Sequence, residues 1–458
     1  MSGSPRRTDT TSARSVAFRI LLRVESSGAF ASILLEQREA HIEDGRDAAL
    51  LHEIVLGVLR RQRTLDHVLS EVASRPAGEM DPEVRTALRI GAYSLLFLDR
   101  VPDFAAVDSA VDLLGPRSSR SRAGFVNGVL RAVARRGSDL LPPEPSEGDV
   151  EALALFHSYP AWWVARVVTR IGWQAAGPLL AAGNRPARTV LRPNLARTSP
   201  SELAQRLEQG GVRTEPGKFV PEALRVASGS PARTAAIRED LAWVQDEAAQ
   251  LVPRIFGSTV GPLVADLCAA PGGKTMQLTE RLVNGGLVVA VERHPGRLRR
   301  LSANLRRHVA GKAVAVLADA AHNRLPLRPG FDDVLVDAPC SGTGTLRRHP
   351  EIRWRLREED LKLLAARQRQ LLESAASLLA PGASVVYSVC SLEPEEGEDV
   401  VKGFLAAHPE FRPVDPRPQL PAAARRLVRG PGFLETSPDD GELDGFFAAR
   451  MVREASGR

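Results

Sequence analysis

Cysteine is scarce in this sequence, with only three among 458 residues. So small and odd a number argues against a disulfide scaffold and favours a reducing compartment, the cytoplasm. The cysteine and histidine spacings match no zinc site, so no metal is expected. No apolar run approaches the roughly 18 residues of a membrane-spanning helix, so no membrane association is expected. The segment Met1–Arg7 has no apolar centre and is not expected to be a secretory signal.

The formal net charge of +6 favours a polyanionic partner such as a nucleic acid. In the N-terminal part the clearest sign is a run of arginines with no intervening acid. It comprises Arg117, Arg120, Arg122, Arg131, Arg135 and Arg136. Such a run is often only a solvated helix face, but in an already basic chain it favours RNA contact.

Three domains are predicted from the hydrophobic patterns. Apolar residues recur at helical spacing up to Gly137, which predicts an all-α bundle in residues 1–140. A proline-rich linker leads to residues 150–240, where strands at Thr189–Arg192, Val212–Thr214 and Ala223–Val226 surround one helix. This order predicts a small α+β platform of the RRM type, which many RNA-binding modules use. Strands then alternate with helices over residues 241–455, as in an α/β doubly wound, Rossmann-like domain.

The first strand of that last domain, Leu263–Leu267, runs into the loop Cys268–Thr275, which reads CAAPGGKT. Small residues and a following helix N-terminus let backbone N–H groups approach a ligand. A phosphate-binding P-loop would need glycine at the position of Cys268, and no G-x-G-x-x-G fingerprint is present. The loop therefore predicts a nucleoside site without dedicated phosphate ligands.

Two acidic residues extend this site along the same sheet edge. Glu292 ends the second strand, where a carboxylate is placed to accept the ribose hydroxyls of a nucleoside. Asp319 ends the third strand, close to the expected place of an adenine ring. A ligand with ribose and adenine but no phosphate is S-adenosylmethionine, which is the expected cofactor.

Two of the three cysteines occupy loops that each follow an apolar strand run. The first loop is Asp337–Gly344, DAPCSGTG, and the second is Tyr387–Ser391, YSVCS. The carboxyl ends of parallel strands form the edge where α/β sheets bind ligands. One cysteine there is more often structural than reactive. Two equivalent placements favour nucleophilic chemistry by Cys340 and Cys390.

Together these motifs resemble the cofactor loop and the two cysteine motifs of RNA cytosine-C5 methyltransferases. The segment Phe125–Arg131 resembles the NusB-like domain of bacterial 16S rRNA methyltransferases of the RsmB (Sun, Fmu) type. Trp243–Ala248 and Asp444–Ala449 also resemble that group, so almost the whole chain is covered. The sequence departs at Glu292, where many relatives have aspartate, and at Val389, where threonine is usual.

The resemblance implies a class I methyltransferase fold and a role for each motif residue. Cys390 is expected to add to cytosine C6 and so make C5 nucleophilic, and Cys340 to assist product release. Asp337 is expected to bind the N3/N4 edge of the base, and Lys274 to adjust a cysteine pKa or orient the base. The expected cofactor-binding residues are Asp266, Cys268, Ala269, Ala270, Pro271, Gly272, Gly273, Lys274, Glu292, Arg297, Asp319 and Asp337.

Several alternatives remain open at this point. A scheme of the DNA methyltransferase type would make Cys340 the nucleophile, but it leaves the second motif without a function. The chain could instead be a NusB-like antitermination factor with an inactive catalytic domain, or a methyltransferase of another RNA. A Cys340–Cys390 redox switch is a further possibility. The expected partner is 16S rRNA or an early small-subunit particle, with no DNA and a monomeric protein.

Overall fold

The computed structural model describes residues 12–455 except 40, 41, 43, 74, 117, 284, 310, 323, 324 and 431. Arg117 of the basic run therefore lies outside the described residues. The chain divides into two compact units. One contains the residues up to Pro186 together with Leu346–Leu356, and the other contains Ala187–Thr345 and the residues from Arg357 onward. Within the described residues, no helix has both the length and the apolar character needed to cross a membrane.

The first unit is helical, which confirms the prediction of an all-α bundle. Helix starts follow local capping chemistry: the Asp81 carboxylate accepts hydrogen bonds from Glu83 N and Val84 N, and Pro82 occupies the first turn. Gly137, with a φ of +54°, ends the arginine-rich helix Arg120–Arg136. The helices are α1 Ala13–Ser27, α2 Ala31–Glu39, α3 Gly45–Arg60, α4 Gln62–Val72, α5 Pro82–Phe97, α6 Asp103–Asp112, α7 Arg120–Arg136, α8 Val150–His157, α9 Ala161–Ile171 and α10 Trp173–Gly183.

The second unit begins with a small antiparallel sheet. In the described residues it has four strands in the order β2-β3-β1-β4. Its elements are β1 Val190–Pro193, α11 Pro200–Gln209, β2 Arg213–Pro216, β3 Leu224–Ser228, α12 Ala235–Arg238 and β4 Ala242–Val244. The predicted strand–helix–strand–strand order is confirmed. The fourth strand, β4, comes from residues that the sequence assigned to the next domain.

A larger mixed sheet forms the rest of this unit, and among the described residues it has nine strands. Its elements up to the first cysteine loop are α13 Glu247–Leu251, β5 Leu263–Asp266, α14 Gly273–Thr279, β6 Leu287–Glu292, α15 Pro295–His308, β7 Ala313–Leu317 and β8 Phe331–Asp337. The short helix α16, Ile352–Arg355, belongs to the helical unit. The chain then forms α17 Glu358–Leu378, β9 Leu379–Val389, α18 Glu398–Ala407, β10 Phe411–Val414, β11 Val428–Arg429, β12 Phe433–Thr436 and β13 Phe446–Arg453.

The sheet order is β11-β12-β13-β9-β8-β5-β6-β7, and the ninth strand, β10, pairs with β13 outside this path. The five motif-bearing strands therefore lie side by side. Strands β5 to β9 are parallel to their neighbours, which confirms the doubly wound α/β prediction, whereas β13 pairs antiparallel with β9. Apolar side chains of β8 and β9, including Val336 and Val385, pack with Leu371 and Leu372 of α17 in one core. The strands are thereby held in register, and their carboxyl ends lie along one edge of the sheet.

The segment Leu346–Leu356 packs inside the helical unit through the buried guanidinium of Arg353. This group stacks on the Tyr159 ring, with 3.6 Å between the guanidinium carbon and the ring centre. It also donates hydrogen bonds of 2.7–3.2 Å to Arg60 O, Ser158 O, Asn184 Oδ1, Tyr159 Oη and Gly183 O. A charge this well satisfied is strongly anchored, because removing it would leave several buried acceptors unpaired.

Candidate active site

The expected cofactor loop turns tightly between β5 and α14. Gly272 has a φ of +112°, and a Cβ at this position would lie 3.1 Å from Leu301 Cδ1, so glycine suits the turn. Arg297 Nη2 donates to Ala270 O at 2.9 Å, and Asn304 Nδ2 donates to Pro271 O at 2.8 Å. Helix α15 therefore holds the loop against the sheet edge through two carbonyl groups.

Asp266 lies beneath the loop. Its Oδ2 accepts a hydrogen bond of 2.7 Å from Thr275 Oγ1 in the first turns of α14. The side chain is only 1% exposed, and this burial raises the pKa of Asp266 to about 7. The contact with Thr275 fixes the start of α14, so Asp266 shapes the loop from below.

A cleft of about 190 Å³ opens at the carboxyl edge of the sheet. Of the predicted site residues, those that line it are Cys268, Ala270, Glu292, Arg297, Asp319, Asp337, Cys340 and Cys390. The remaining predicted residues do not line it: Asp266, Ala269, Pro271, Gly272, Gly273 and Lys274. The structure thus brings the end of β6, the residues after β7 and both cysteine loops to one cavity. From the expected cofactor loop, Cys268 and Ala270 reach this cavity.

Glu292 is 4% exposed at the end of β6. Its Oε1 accepts a hydrogen bond of 2.8 Å from His294 N, and its Oε2 lies 3.5 Å from Arg297 Nε. The carboxylate is therefore held in place while it faces the cleft.

Asp319 faces the same cleft, two residues beyond β7. Arg367 Nη2 donates to its two oxygens at 2.8 and 2.9 Å. Burial raises the pKa of Asp319, but hydrogen bonds from Ala321 N and Arg367 outweigh that effect, so its pKa lies below the ordinary value. Two carboxylates on neighbouring strand ends, together with a loop made of small residues, suit a nucleoside ligand such as S-adenosylmethionine.

Asp337, at the end of β8, is held from both sides. Its Oδ1 accepts a hydrogen bond of 2.7 Å from Ser388 Oγ, and its Oδ2 lies 2.7 Å from Lys274 Nζ. The parallel register of β8 and β9 pairs Asp337 with Ser388, which explains the first contact. The second contact joins the cofactor loop to the first cysteine loop.

The two cysteines meet at the centre of the cleft wall. Cys340 Sγ and Cys390 Sγ lie 3.3 Å apart. The hydrogen bond with Cys390 raises the pKa of the Cys340 thiol well above its ordinary value, and burial adds to the shift. Either sulfur can be the donor in this hydrogen bond. Cys268, also in the cleft wall, has a pKa raised by burial and by neighbouring carboxylates.

Three further residues of this site were missed by the sequence interpretation. Ser388 lies on β9, two residues before Cys390, and that spacing could have identified it. Arg367 lies in α17, and Glu396, which bonds to both cysteine loops, lies in an acidic stretch. Nothing in the local spacing distinguishes either one, because their partners are distant in sequence.

The basic helix α7 is described within the helical unit. Arg120, Arg131, Arg135 and Arg136 are exposed along it. Arg122 instead forms ion pairs with Asp81 and Glu83, with nitrogen–oxygen distances of 2.6 and 3.1 Å. Arg122 is therefore a surface residue paired with acidic side chains, as expected for an ordinary solvated helix face.

Comparisons with known proteins cover nearly all of the chain. The family model for 16S rRNA methyltransferase RsmB/F matches residues 259–452, the NusB family model matches 11–135, and a ferredoxin-like domain of the RsmF/B-like methyltransferases matches 159–233. The probable ribosomal RNA small subunit methyltransferase B of Bacillus subtilis is 30% identical, over 97% of this chain and 99% of its own. The putative methyltransferase Rv1407 of Mycobacterium tuberculosis is 37% identical, over 99% of each chain.

Solved structures agree with these matches. The crystal structure of PH0851 superposes with a TM-score of 0.81 at 26% identity, covering 98% of this chain and 99% of that one. A methyltransferase homologue from Pyrococcus horikoshii has a TM-score of 0.57 at 26% identity, covering 67% of this chain and all of its own. Because the relatives at 30% and 37% identity match over almost their full length, the chain belongs to the RsmB/F family of 16S rRNA methyltransferases.

Proposed function

We propose that this protein transfers a methyl group from S-adenosylmethionine to C5 of a cytosine in 16S rRNA, through a covalent bond between Cys390 and cytosine C6. The observation that carries the proposal is the 3.3 Å separation of the Cys340 and Cys390 sulfur atoms, which both line the cleft of about 190 Å³. One thiol can attack and the other release only if both reach the same base.

The surroundings of Cys340 support giving the first step to Cys390. Cytosine C5 is a poor nucleophile until a nucleophile adds to C6 and pushes electron density onto C5. The hydrogen bond with Cys390 and burial raise the pKa of the Cys340 thiol, which disfavours Cys340 as the attacking thiolate and supports Cys390 in that role. Asp337 is placed to hydrogen-bond the N3/N4 edge of the base, and Lys274 balances its charge.

The cofactor site follows from the residues that line the cleft. Glu292 would hold the ribose hydroxyls, and Asp319 would lie near the adenine. Cys268 and Ala270 would approach the ligand through their backbone, with Arg297 supporting Ala270. When bound, S-adenosylmethionine supplies the electrophilic methyl group that the activated C5 takes.

Release is the role proposed for Cys340. Cys340 Sγ lies 3.3 Å from Cys390 Sγ, and after releasing its own thiol proton to solvent it would accept the C5 proton as a base. Loss of that proton and cleavage of the bond between Cys390 and C6 regenerate the aromatic base and the free thiolate.

The substrate must present an unstacked cytosine, since the thiol attacks the face of the ring. We place RNA along the exposed arginines of α7, where Arg131, Arg135 and Arg136 can contact phosphates. The proposed partner is 16S rRNA, free or in an early small-subunit particle, and the proposed state is a cytoplasmic monomer that neither uses DNA nor binds membranes.

The test combines radiolabelled methyl transfer with bisulfite mapping of RNA from cells with and without the protein. We expect one or a few 16S cytosines to lose their protection from conversion when the protein is absent. Transfer to a different RNA would redirect the substrate assignment. Absence of transfer to any RNA, with RNA binding intact, would favour an inactive NusB-like binding factor.

A further inference from the structure

The two cysteine loops are joined by a single buried carboxylate, that of Glu396, which is 0% exposed. Its Oε1 accepts hydrogen bonds from Ser341 N at 2.8 Å and Gln368 Nε2 at 2.9 Å. Its Oε2 accepts one from Ser391 Oγ at 2.6 Å and another from Ser341 Oγ. Four donors therefore converge on one side chain.

Three of these four donors belong to residues that directly follow a cysteine. Ser341 directly follows Cys340, and Ser391 directly follows Cys390. A single group thus fixes the residue next to each sulfur atom. Two further hydrogen bonds have backbone N–H donors: Leu392 N donates to Thr343 Oγ1 at 2.9 Å, and Gly344 N donates to Cys390 O at 3.1 Å.

Burying a carboxylate costs free energy because the group loses its hydration. An apolar side chain would fill the same space without that cost, so packing alone does not explain Glu396. Burial raises the pKa of Glu396, and the hydrogen bonds from Ser341, Ser391 and Gln368 oppose that shift. Glu396 does not line the cleft, so its charge has no direct access to a bound base. What the carboxylate supplies is directional hydrogen bonding to both loops at once.

We propose that Glu396 is a positioning residue for methyl transfer, which sets the spacing and orientation of the Cys340 and Cys390 sulfur atoms. The inference rests on the proposed function only in that both sulfur atoms act on one base. The geometric part, that the carboxylate holds the two sulfur atoms 3.3 Å apart, can be tested without any RNA.

The first experiment measures disulfide formation between Cys340 and Cys390 in the full chain, with diamide as the oxidant and peptide mass spectrometry as the readout. Diamide takes two electrons and two protons from the thiol pair and becomes the hydrazine. We expect E396A to slow formation of this disulfide at least about tenfold, because sulfur atoms on independent loops meet less often. E396Q should fall between E396A and the wild type, because the amide oxygen keeps one acceptor and the serine hydroxyls can accept from its nitrogen.

The matched control is E398Q, which changes an exposed carboxylate two residues away that pairs with Lys402. It should oxidise at the wild-type rate. If E396A does not fold, S391A removes one of the four donors and serves as the milder variant, with an expected smaller slowing. Wild-type oxidation rates in folded E396A, or in S391A when E396A cannot be folded, would overturn the proposal.

The second experiment measures methyl transfer to 16S rRNA. We expect E396Q to lower kcat about tenfold or more while KM for S-adenosylmethionine stays unchanged, since the cleft lining is intact. A raised KM with unchanged kcat would overturn the positioning role. If the wild type transfers no methyl group, the proposed function fails, while the oxidation rates still decide whether Glu396 sets the sulfur spacing.

Discussion

Lys274 Nζ lies 2.7 Å from Asp337 Oδ2 and joins the cofactor loop to the first cysteine loop. Ser388 Oγ donates a hydrogen bond to the other carboxylate oxygen, so contacts on both sides fix the orientation of Asp337. Both side chains are largely buried, with 13% and 30% exposure for Lys274 and Asp337, and an ion pair in such a place is screened less than one at the surface. The residue proposed to bind the base and the loop proposed to bind the cofactor are therefore joined by one contact.

Replacing Lys274 with alanine should lower single-turnover methyl transfer about tenfold to a hundredfold, because Asp337 loses the cation that orients it; we assign this loss about 1.5–3 kcal/mol. Asp337→Asn should cost a similar amount, and the double variant should cost less than the sum. A fully additive double-mutant cycle would show that the two residues act separately.

The two cysteine variants should fail at different steps. Cys390→Ala should form no covalent complex with RNA, because the attacking sulfur is gone. Cys340→Ala should still attack and methylate, then stall as a denaturant-resistant protein–RNA band that requires S-adenosylmethionine. An adduct trapped by Cys390→Ala and missing from Cys340→Ala would reverse the roles and favour the DNA-type scheme.

Glu292→Ala should weaken S-adenosylmethionine binding roughly tenfold to over a hundredfold, because one charge-assisted hydrogen bond contributes about 1.5–3 kcal/mol. Calorimetry gives the affinity directly. RNA binding should stay close to that of the wild type. Unchanged cofactor affinity would mean that the ribose does not bind at the end of β6.

Alanine at Arg131, Arg135 and Arg136 should weaken RNA binding and flatten its salt dependence. Each lost phosphate contact should change the logarithmic salt slope by about 0.7–0.9. Arg122→Ala is the matched control on the same helix, because Arg122 is already paired with acidic residues. A wild-type salt slope in the triple variant would indicate that these arginines form an ordinary solvated helix face and do not contact RNA.

The raised pKa of Asp266 predicts a dependence of stability on pH. Since the folded state holds this proton up to about pH 7, and the unfolded state releases it near its ordinary value of 3.8, the stability from this group is lost as the pH rises between them. The slope should approach about 1.4 kcal/mol per pH unit. Asp266→Asn keeps an acceptor for Thr275 and should lack that loss, so denaturant titrations at about pH 5 and about pH 8 should favour it at the higher pH. An equal pH dependence in both proteins would contradict the prediction.

Much of the fold could be predicted because it depends on local patterns. Apolar runs such as Leu263–Leu267 identified the parallel strands, and the motif residues that follow them fell at one sheet edge for purely geometric reasons. Gly137 ended its helix as expected. These features need only the residues of one element and its immediate neighbours.

The features that escaped prediction depend on partners distant in sequence. Glu396 is one of several acids after Cys390, and only the folded chain shows that it accepts from Ser341. Strand β13 extends the sheet beyond β9 by pairing antiparallel with it. The residues of β13 alone do not indicate this pairing. The packing of Leu346–Leu356 with the helical unit likewise requires contacts across nearly 300 positions, such as the hydrogen bond from Arg353 to Arg60.

That interleaving of the chain constrains how the protein is made. The helical unit gathers its first part from residues up to Pro186 but receives its last piece, Leu346–Leu356, only after Ala187–Thr345 has been synthesised. The pocket of acceptors around Arg353 therefore stays open during synthesis of that intervening stretch. On the ribosome, the first unit to begin folding cannot be completed until β5 to β8, four of the nine described strands of the larger sheet, have been synthesised. A fragment ended at Pro186 would lack its closing guanidinium, and a fragment begun at Ala187 would carry that guanidinium without its acceptors.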